Sequence, residues 1–420
     1  MILPGAAGAS IRLVSRKAGK KEIQMSMHAY RPIDADMPHL RESADWGTDP
    51  DSGARIIRLT TSVAMSHNIY CEQPYGSPDG RRLIIFRTAD SLLPHCQLLI
   101  IDLEERDTTL VEPDVPSESV GHVSWGEWVY YPMHDGSLRR VSLMTLTREE
   151  VLPAGSIPVF PACWIDSISS DDRYVIAIES AGDSYVTSAI DLHSGERHVL
   201  ADGPENRNPH PQMSLDDPAR LLYQMIGEPK SAGEAIRVAL NVRDLAGGEP
   251  SRLPIGDPWT AESSGHMAWI ANTGRVACAV NWDRQNRCHD PRHPEGNLVY
   301  AAPGDERPTV FPAPDFGFYH VSVSRCGRYF VCDDFMHFQA TGPVDGKVGP
   351  CPIVIGNFET GKCKALLRDC QNYGIAGYSR FEPNPYLTAD SRYVIYNASP
   401  FGTMQVFAAE LPNGFLSDLD

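Results

Sequence analysis

A turn-plus-strand unit recurs seven times along the 420 residues, and no other feature of the sequence limits the possible folds as tightly. It is clearest from Ser77 (SPDGRRLIIF). Pro suits the second position of a tight turn, Asp-Gly tolerates positive φ, and the apolar run that follows reads as a buried strand. Degenerate copies begin at Trp125 (WGEWVYYP), Ser170 (SDDRYVIAIES), Ser214 (SLDDPARLLYQ), Asn272 (NTGRVACAV), Arg325 (RCGRYFVCDD) and Ala389 (ADSRYVIYNAS). Their spacing of roughly 45–65 residues is that of four-stranded propeller blades with variable loops.

Between the units lie stretches that read as strand, polar turn, strand, such as Leu98 to Thr109, Ser188 to Leu200 and Ile353 to Leu367. These are the outer hairpins of blades. The seventh copy is truncated after Gln405-Val406-Phe407-Ala408, and Arg55 to Leu59 supplies the missing strand. The expected fold is therefore all-β, a seven-bladed β-propeller whose ring is closed by an N-terminal strand joining the last blade. Closure removes the exposed edge that an open stack would present. Residues 1–50 read as an irregular N-terminal extension, 51–413 as the propeller and 414–420 as a C-terminal tail.

The formal net charge of −17 argues against nucleic acid or an anionic membrane as partner, since both call for a basic surface. A local cluster of cationic side chains in a cleft still permits an anionic substrate. The first 21 residues lack a continuous apolar segment, and no run of 18 apolar residues occurs, so a cytoplasmic location is expected. The ten cysteines lack CxxC spacing and read as reduced thiols.

Propeller ligands bind at the central channel, and the residues leading into each repeat are polar. Blade one offers His67, Glu72 and Gln73; blade two His122; blade three Trp164 and Asp166. Blade four has Arg207, Asn208, His210 and Gln212; blade five His266; blade six Tyr319 and His320; blade seven Arg380, Glu382 and Asn384. Five of the 14 histidines thus fall at corresponding places. A ring of His with Glu and Asn suits a divalent metal, and equally a base of near-neutral pKa. The P-loop-like GNFETGKC at Gly356 ends in Cys and sits in an expected hairpin. Gly377 to Phe381 lacks the closing Gly of a nucleophile elbow.

The sequence resembles the oligogalacturonate lyases, a family of seven-bladed propeller pectate lyases. The matching pieces are His67-Asn68-Ile69-Tyr70 with SPDGRRL, His210-Pro211-Gln212 with SLDDP, and Gly265-His266-Met267-Ala268-Trp269. His320-Val321-Ser322 with CGRYFVCDD and Pro383-Asn384-Pro385-Tyr386 complete the set in family order. The resemblance implies β-elimination on short uronate-containing oligosaccharides and a manganese ion. The family's metal-binding His in the GHxxW lead-in falls on His266, whereas its last-blade Gln and His-Pro-His are replaced by Ser379, Glu382, Pro383 and Asn384. The family's base, a His within Cys-His-Glu-Gly-Pro, is absent from the corresponding Gln224 to Pro229.

The expected roles follow from these matches and departures. His210 and His67 are candidate acid and base, and Arg207 and Arg380 candidate carboxylate clamps. His122, Gln212 and Tyr319 are expected to contact substrate. His266, His320, Glu382 and Asn384 are expected to hold Mn²⁺ or Ca²⁺. The alternative is a non-catalytic propeller that binds a sugar or protein partner. The sequence specifies no oligomeric state.

Overall fold

A computed structural model describes residues 30–420, except 34, 89–94, 117–118, 159, 228–236, 282–291, 335–349 and 372–381. The described residues form seven antiparallel sheets of four or five strands, one for each repeat, arranged as a seven-bladed β-propeller. Counted from the channel, six recurring strands are the second of their sheets: Arg82–Thr88, Tyr174–Ala181, Arg220–Gly227, Arg275–Asn281, Tyr329–Asp333 and Tyr393–Ala398. In blade two Trp128–Pro132 is the innermost strand, bridged at Tyr130 to Gly121 of the lead-in. The lead-in residues form the short first strands, among them Met65–His67, Gln212–Met213 and Tyr386–Leu387. First strands of neighbouring blades touch one another around the axis, as Glu262–Ile270 does with Val321–Val323. That placement is why lead-in side chains reach the channel.

The turn chemistry explains why the unit repeats. Ser77 Oγ donates to Asp79 Oδ1 (2.5 Å) and accepts from the Arg82 amide (2.8 Å), while the Gly80 amide closes the turn onto the Ser77 carbonyl (3.0 Å). Gly80 has φ +76°, and a Cβ there would lie 2.5 Å from an oxygen of Asp390. Blades three and seven build the same turn with other residues. Ser169 and Thr388 bond Asp171 and Asp390 (both 2.6 Å), and each receives an amide from the following strand. The hydroxyl–aspartate pair templates the turn, so the Pro-Asp-Gly can degenerate without loss of the blade.

Burial is distributed by interface. Seven hydrophobic clusters lie between successive blades, including one that joins blades seven and one through Ile57, Leu83, Ile85, Tyr393, Ile395 and Val406. Tyrosines recur in the repeated strands, Tyr174, Tyr223, Tyr329 and Tyr393; the last three are buried in these clusters and Tyr174 packs half-buried against one, in keeping with a packing role. Arg55–Arg58 pairs with Gln405–Glu410, so the last sheet draws strands from both chain ends.

The stretch read as an irregular extension behaves differently from that expectation over its described part. Arg31–Pro32 pairs with the outer strand of blade two, His39–Leu40 with that of blade one, and Ala44–Thr48 extends the last sheet. Buried arginines fix this strap: Arg87 meets Glu42 at 2.7 Å, and Arg148 donates to the Ala35 carbonyl at 2.9 Å. These strands are two to five residues long and mostly exposed, so no alternation of apolar residues announces them. The segment read as a tail is likewise packed down. Phe415 and Leu419 enter the cluster between blades six and seven, and Thr360 Oγ1 donates to the Leu419 carbonyl (2.6 Å). The P-loop-like run is the turn between strands Ile353–Asn357 and Cys363–Leu367. Nine described cysteines are free. Among the described residues no helix is long and apolar enough to cross a membrane.

Candidate active site in the central channel

Three lead-ins turn into the channel on left-handed backbone: Ile69 at φ +72°, His210 at +41° and Asn384 at +45°. For a β-branched residue such as Ile69 this is strained, by roughly 1–3 kcal/mol, and it persists only where neighbours fix it. Asn68 does so here. Its amide donates to Asn397 Oδ1 (2.9 Å) and its side chain donates to the Asn384 carbonyl (2.7 Å). Asn397 in turn holds the Glu382 carbonyl (3.2 Å). Blades one and seven are thus locked together where they enter the site.

Glu72 is the hub, although sequence reasoning gave it no role beyond the blade-one lead-in. One oxygen accepts from Gln212 Nε2 at 2.7 Å and lies 3.4 Å from His210 Nδ1. The other accepts from the Met267 amide at 3.3 Å and lies 3.5 Å from His266 Nδ1. Burial alone would raise its pKa, but the charge and hydrogen bonds of His210 and the contact with His266 lower it below the usual range. His210 shows the counterpart: desolvation pulls its pKa down, and Glu72, Asp166 and Glu382 more than offset this, leaving it raised.

His320 is fully buried. Its Nδ1 lies 2.6 Å from Asp333 Oδ2, and its Nε2 faces Glu382 Oε2 at 3.3 Å. Burial disfavours the charged ring, yet these two carboxylates raise its pKa to about 10. His266 stands beside it with ring centroids 4.5 Å apart, and the Tyr70 hydroxyl lies 2.6 Å from His266 Nδ1. Desolvation and the His320 charge keep His266 neutral. Burial, with Glu72 nearby, holds the Tyr70 hydroxyl protonated.

The candidates therefore separate. His210, His266, His320, Tyr319 and Glu382 come together, with the Tyr319 ring centred 4.4 Å from that of His266. His67 is buried against Phe86 at 6.0 Å, in the blade wall. His122, expected to contact substrate, is fully buried. It stacks on Tyr75 (5.6 Å, 22°), and its Nδ1 lies 3.1 Å from the Trp128 carbonyl, which removes it from a channel ligand's reach. Gln212, expected in the same role, is 1% exposed and spends its amide on Glu72 and the Met267 carbonyl. Arg207 donates Nε to the Pro204 carbonyl. Arg380 lies outside the described residues. Asp333 and Tyr70 were missed as site residues. The signal for Asp333 was present in the acidic end of the CGRYFVCDD strand.

Three carboxylates (Glu72, Asp333 and Glu382) stand among three imidazoles of which His266 is neutral, a surplus of buried negative charge that a cation would relieve. The donor set fits a divalent ion with nitrogen and oxygen ligands. Asp333 holds His320 Nδ1, the usual outer-shell partner of a ligating imidazole, and leaves Nε2 toward Glu382. The Asn384 amide oxygen is buried without a hydrogen-bond partner among the described residues. A second donor group lies on the surface at blades one and two: Asp114 Oδ1 meets His95 Nδ1 at 2.8 Å and His134 Nε2 at 3.1 Å.

No protein-family model matches this chain, and no curated protein matches it. Solved structures do. An oligogalacturonate lyase in complex with manganese aligns with TM-score 0.65 and 16% identity, covering 91% of this chain and 100% of that one. An oligogalacturonate lyase from Vibrio parahaemolyticus aligns with TM-score 0.61 at 16% identity over the same shares of the two chains. The tricorn protease aligns with TM-score 0.50 and 12% identity, covering 85% of this chain but 36% of that one. The resemblance read from the sequence thus holds across the whole propeller, with an identity that marks this chain as divergent. At such identity the likeness establishes the fold.

Proposed function

We propose that the chain is a lyase-like enzyme that cleaves short uronate-containing oligosaccharides by β-elimination in its central channel. The observation that supports this most is the pairing of His210 with Glu72 beside the His266–His320–Glu382 group. β-Elimination needs that combination: a base for the weakly acidic C5 proton, and positive charge at the carboxylate next to it.

His210 is the base, held through Nδ1 by Glu72 so that Nε2 is its reactive nitrogen. As Nε2 takes the C5 proton, the C–H electrons form the C4–C5 double bond and the C4–O4 bond breaks. The leaving O4 takes a proton from Tyr70, and the tyrosinate is restored from the His210 imidazolium through solvent. His266, His320, Glu382 and Asn384 would hold a divalent cation, Mn²⁺ by their mixed donors, which would supply positive charge to the uronate carboxylate and to the enolate-like anion. Tyr319, packed on His266, borders the same space. Arg207 remains a candidate clamp, as does Arg380, which lies outside the described residues.

The test is incubation of the full chain with a panel of uronate oligosaccharides, following the ultraviolet absorbance of the unsaturated product. Product is expected, lost with a chelator and restored by Mn²⁺. Silence across the panel, with and without added metal, overturns the reading.

A further inference from the structure

The space next to His210 differs in character from the histidine group. A cavity of about 240 Å³ opens between blades one and four, and its far wall is Tyr75, Val120, Trp164, Ile165, Asp166 and Ile178. The volume is below the roughly 300–1,000 Å³ of drug-sized sites and suits one small ring. His266, His320 and Glu382 do not line it, whereas Tyr70, Glu72 and His210 do, so the cavity adjoins the proposed reacting centre and is not part of the cation group.

Its electrostatics are one-sided. No Lys or Arg is among the described residues that line it, and besides His210 its charged groups are the carboxylates Asp166 and Glu72. Glu72 is committed to Gln212, Met267 and His210. Asp166 is the group that faces a ligand. Burial raises its pKa to about 7, with His210 opposing and Glu72 adding to the rise. A protonated carboxyl both donates and accepts, which suits sugar hydroxyls, whereas the ionised form repels another carboxylate. Trp164 is fixed edge-on by Tyr185 (4.9 Å, 78°) and, with Ile165 and Ile178, offers a rigid apolar wall to the C–H face of a pyranose.

We propose that this cavity is a subsite for an uncharged pyranose ring adjoining the cleaved uronate, so that the preferred substrate joins a uronate to a neutral sugar. This rests on the uronate reading of the channel. It sets the chain apart from a degrader of pure oligouronates, in which every neighbouring ring would bring a carboxylate against Asp166.

Titration calorimetry with two matched probes tests the subsite separately from turnover: a hexose–uronate disaccharide and a diuronate. The hexose–uronate is expected to bind more tightly, by about twofold near pH 7 and about tenfold near pH 8, where Asp166 is ionised. Asp166→Asn, an isosteric change, is expected to shrink that ratio severalfold by strengthening diuronate binding. Equal or tighter binding of the diuronate to the unmodified protein overturns the proposal, as does an unchanged ratio in Asp166→Asn. If the preference holds but neither probe yields unsaturated product, the lyase reading fails while the subsite stands.

Discussion

His122 and His320 occupy corresponding lead-ins of blades two and six, and they have opposite chemistry. His122 stacks on Tyr75 beside the Trp128 carbonyl, and burial drives its pKa to about 4. His320 is as deeply buried but stands between Asp333 and Glu382, which raise its pKa to about 10. The difference comes from the partners, since burial is the same. Repeat position decides where the backbone enters the channel; an adjacent carboxylate decides whether an imidazole becomes a charged site group or a neutral part of the wall. The catalytic proposal concerns the carboxylate-paired set, and it can be broken there.

Among substitutions of the carboxylate partners, Glu72→Gln should have the largest effect. It keeps the shape and the acceptor for Gln212 but removes the charge shared by His210 and His266. A fall in kcat on the order of 10²-fold is expected, toward the lower end of general-base contributions. The acid limb of the pH–rate profile should move to lower pH, because His210 loses the partner that raises its pKa. An unchanged rate and profile would separate Glu72 from the chemistry.

Asp333→Asn should follow, at about 10–100-fold in Mn²⁺ affinity, the usual cost of removing the outer partner of a ligating imidazole. The measurement is metal titration against thermal stability. The surface group of His95, Asp114 and His134 should be silenced with His95→Ala so that it does not contribute to the signal.

The pH dependence of stability sharpens the contrast between the two histidines. In metal-free protein the raised pKa of His320 contributes stability that is complete below about 6.5 and is lost as pH rises through about 10. The lowered pKa of His122 acts in the opposite sense, since the unfolded state binds more protons between about 4 and 6.5, and stability falls as pH drops through that window. Denaturant titrations of His320→Gln and His122→Gln should each erase one of these slopes. Mn²⁺ should flatten the alkaline slope by replacing the His320 proton.

Much of the fold was legible in the sequence, because a turn followed by a buried strand repeats in every blade with only local drift, and in blades one, three and seven a hydroxyl–aspartate pair templates that turn. The N-terminal strap was not: strands such as Arg31–Pro32 and His39–Leu40 are held by pairing and by distant arginines, which leave no periodic trace. Within the site, His210, His266 and His320 were identifiable from their lead-in positions. His67 and His122 shared those positions, but the rings that cover them, Phe86 and Tyr75, come together with them only in the folded blade. Asp333 escaped notice as a partner because it lies at the far end of the strand that follows His320, and pairing of the two strands brings it back to the ring.

The most direct measurement is the rate of unsaturated-product formation per folded molecule for His210→Ala and His122→Ala, side by side with the unmodified chain. His210→Ala should lose on the order of 10²–10⁴ in kcat while remaining folded. His122→Ala should lose about 2–4 kcal/mol of stability, as a buried ring is deleted, yet keep its rate per folded molecule. Equal loss of rate in both variants, or an unchanged rate in His210→Ala, would contradict the division of the lead-in histidines into chemistry and wall.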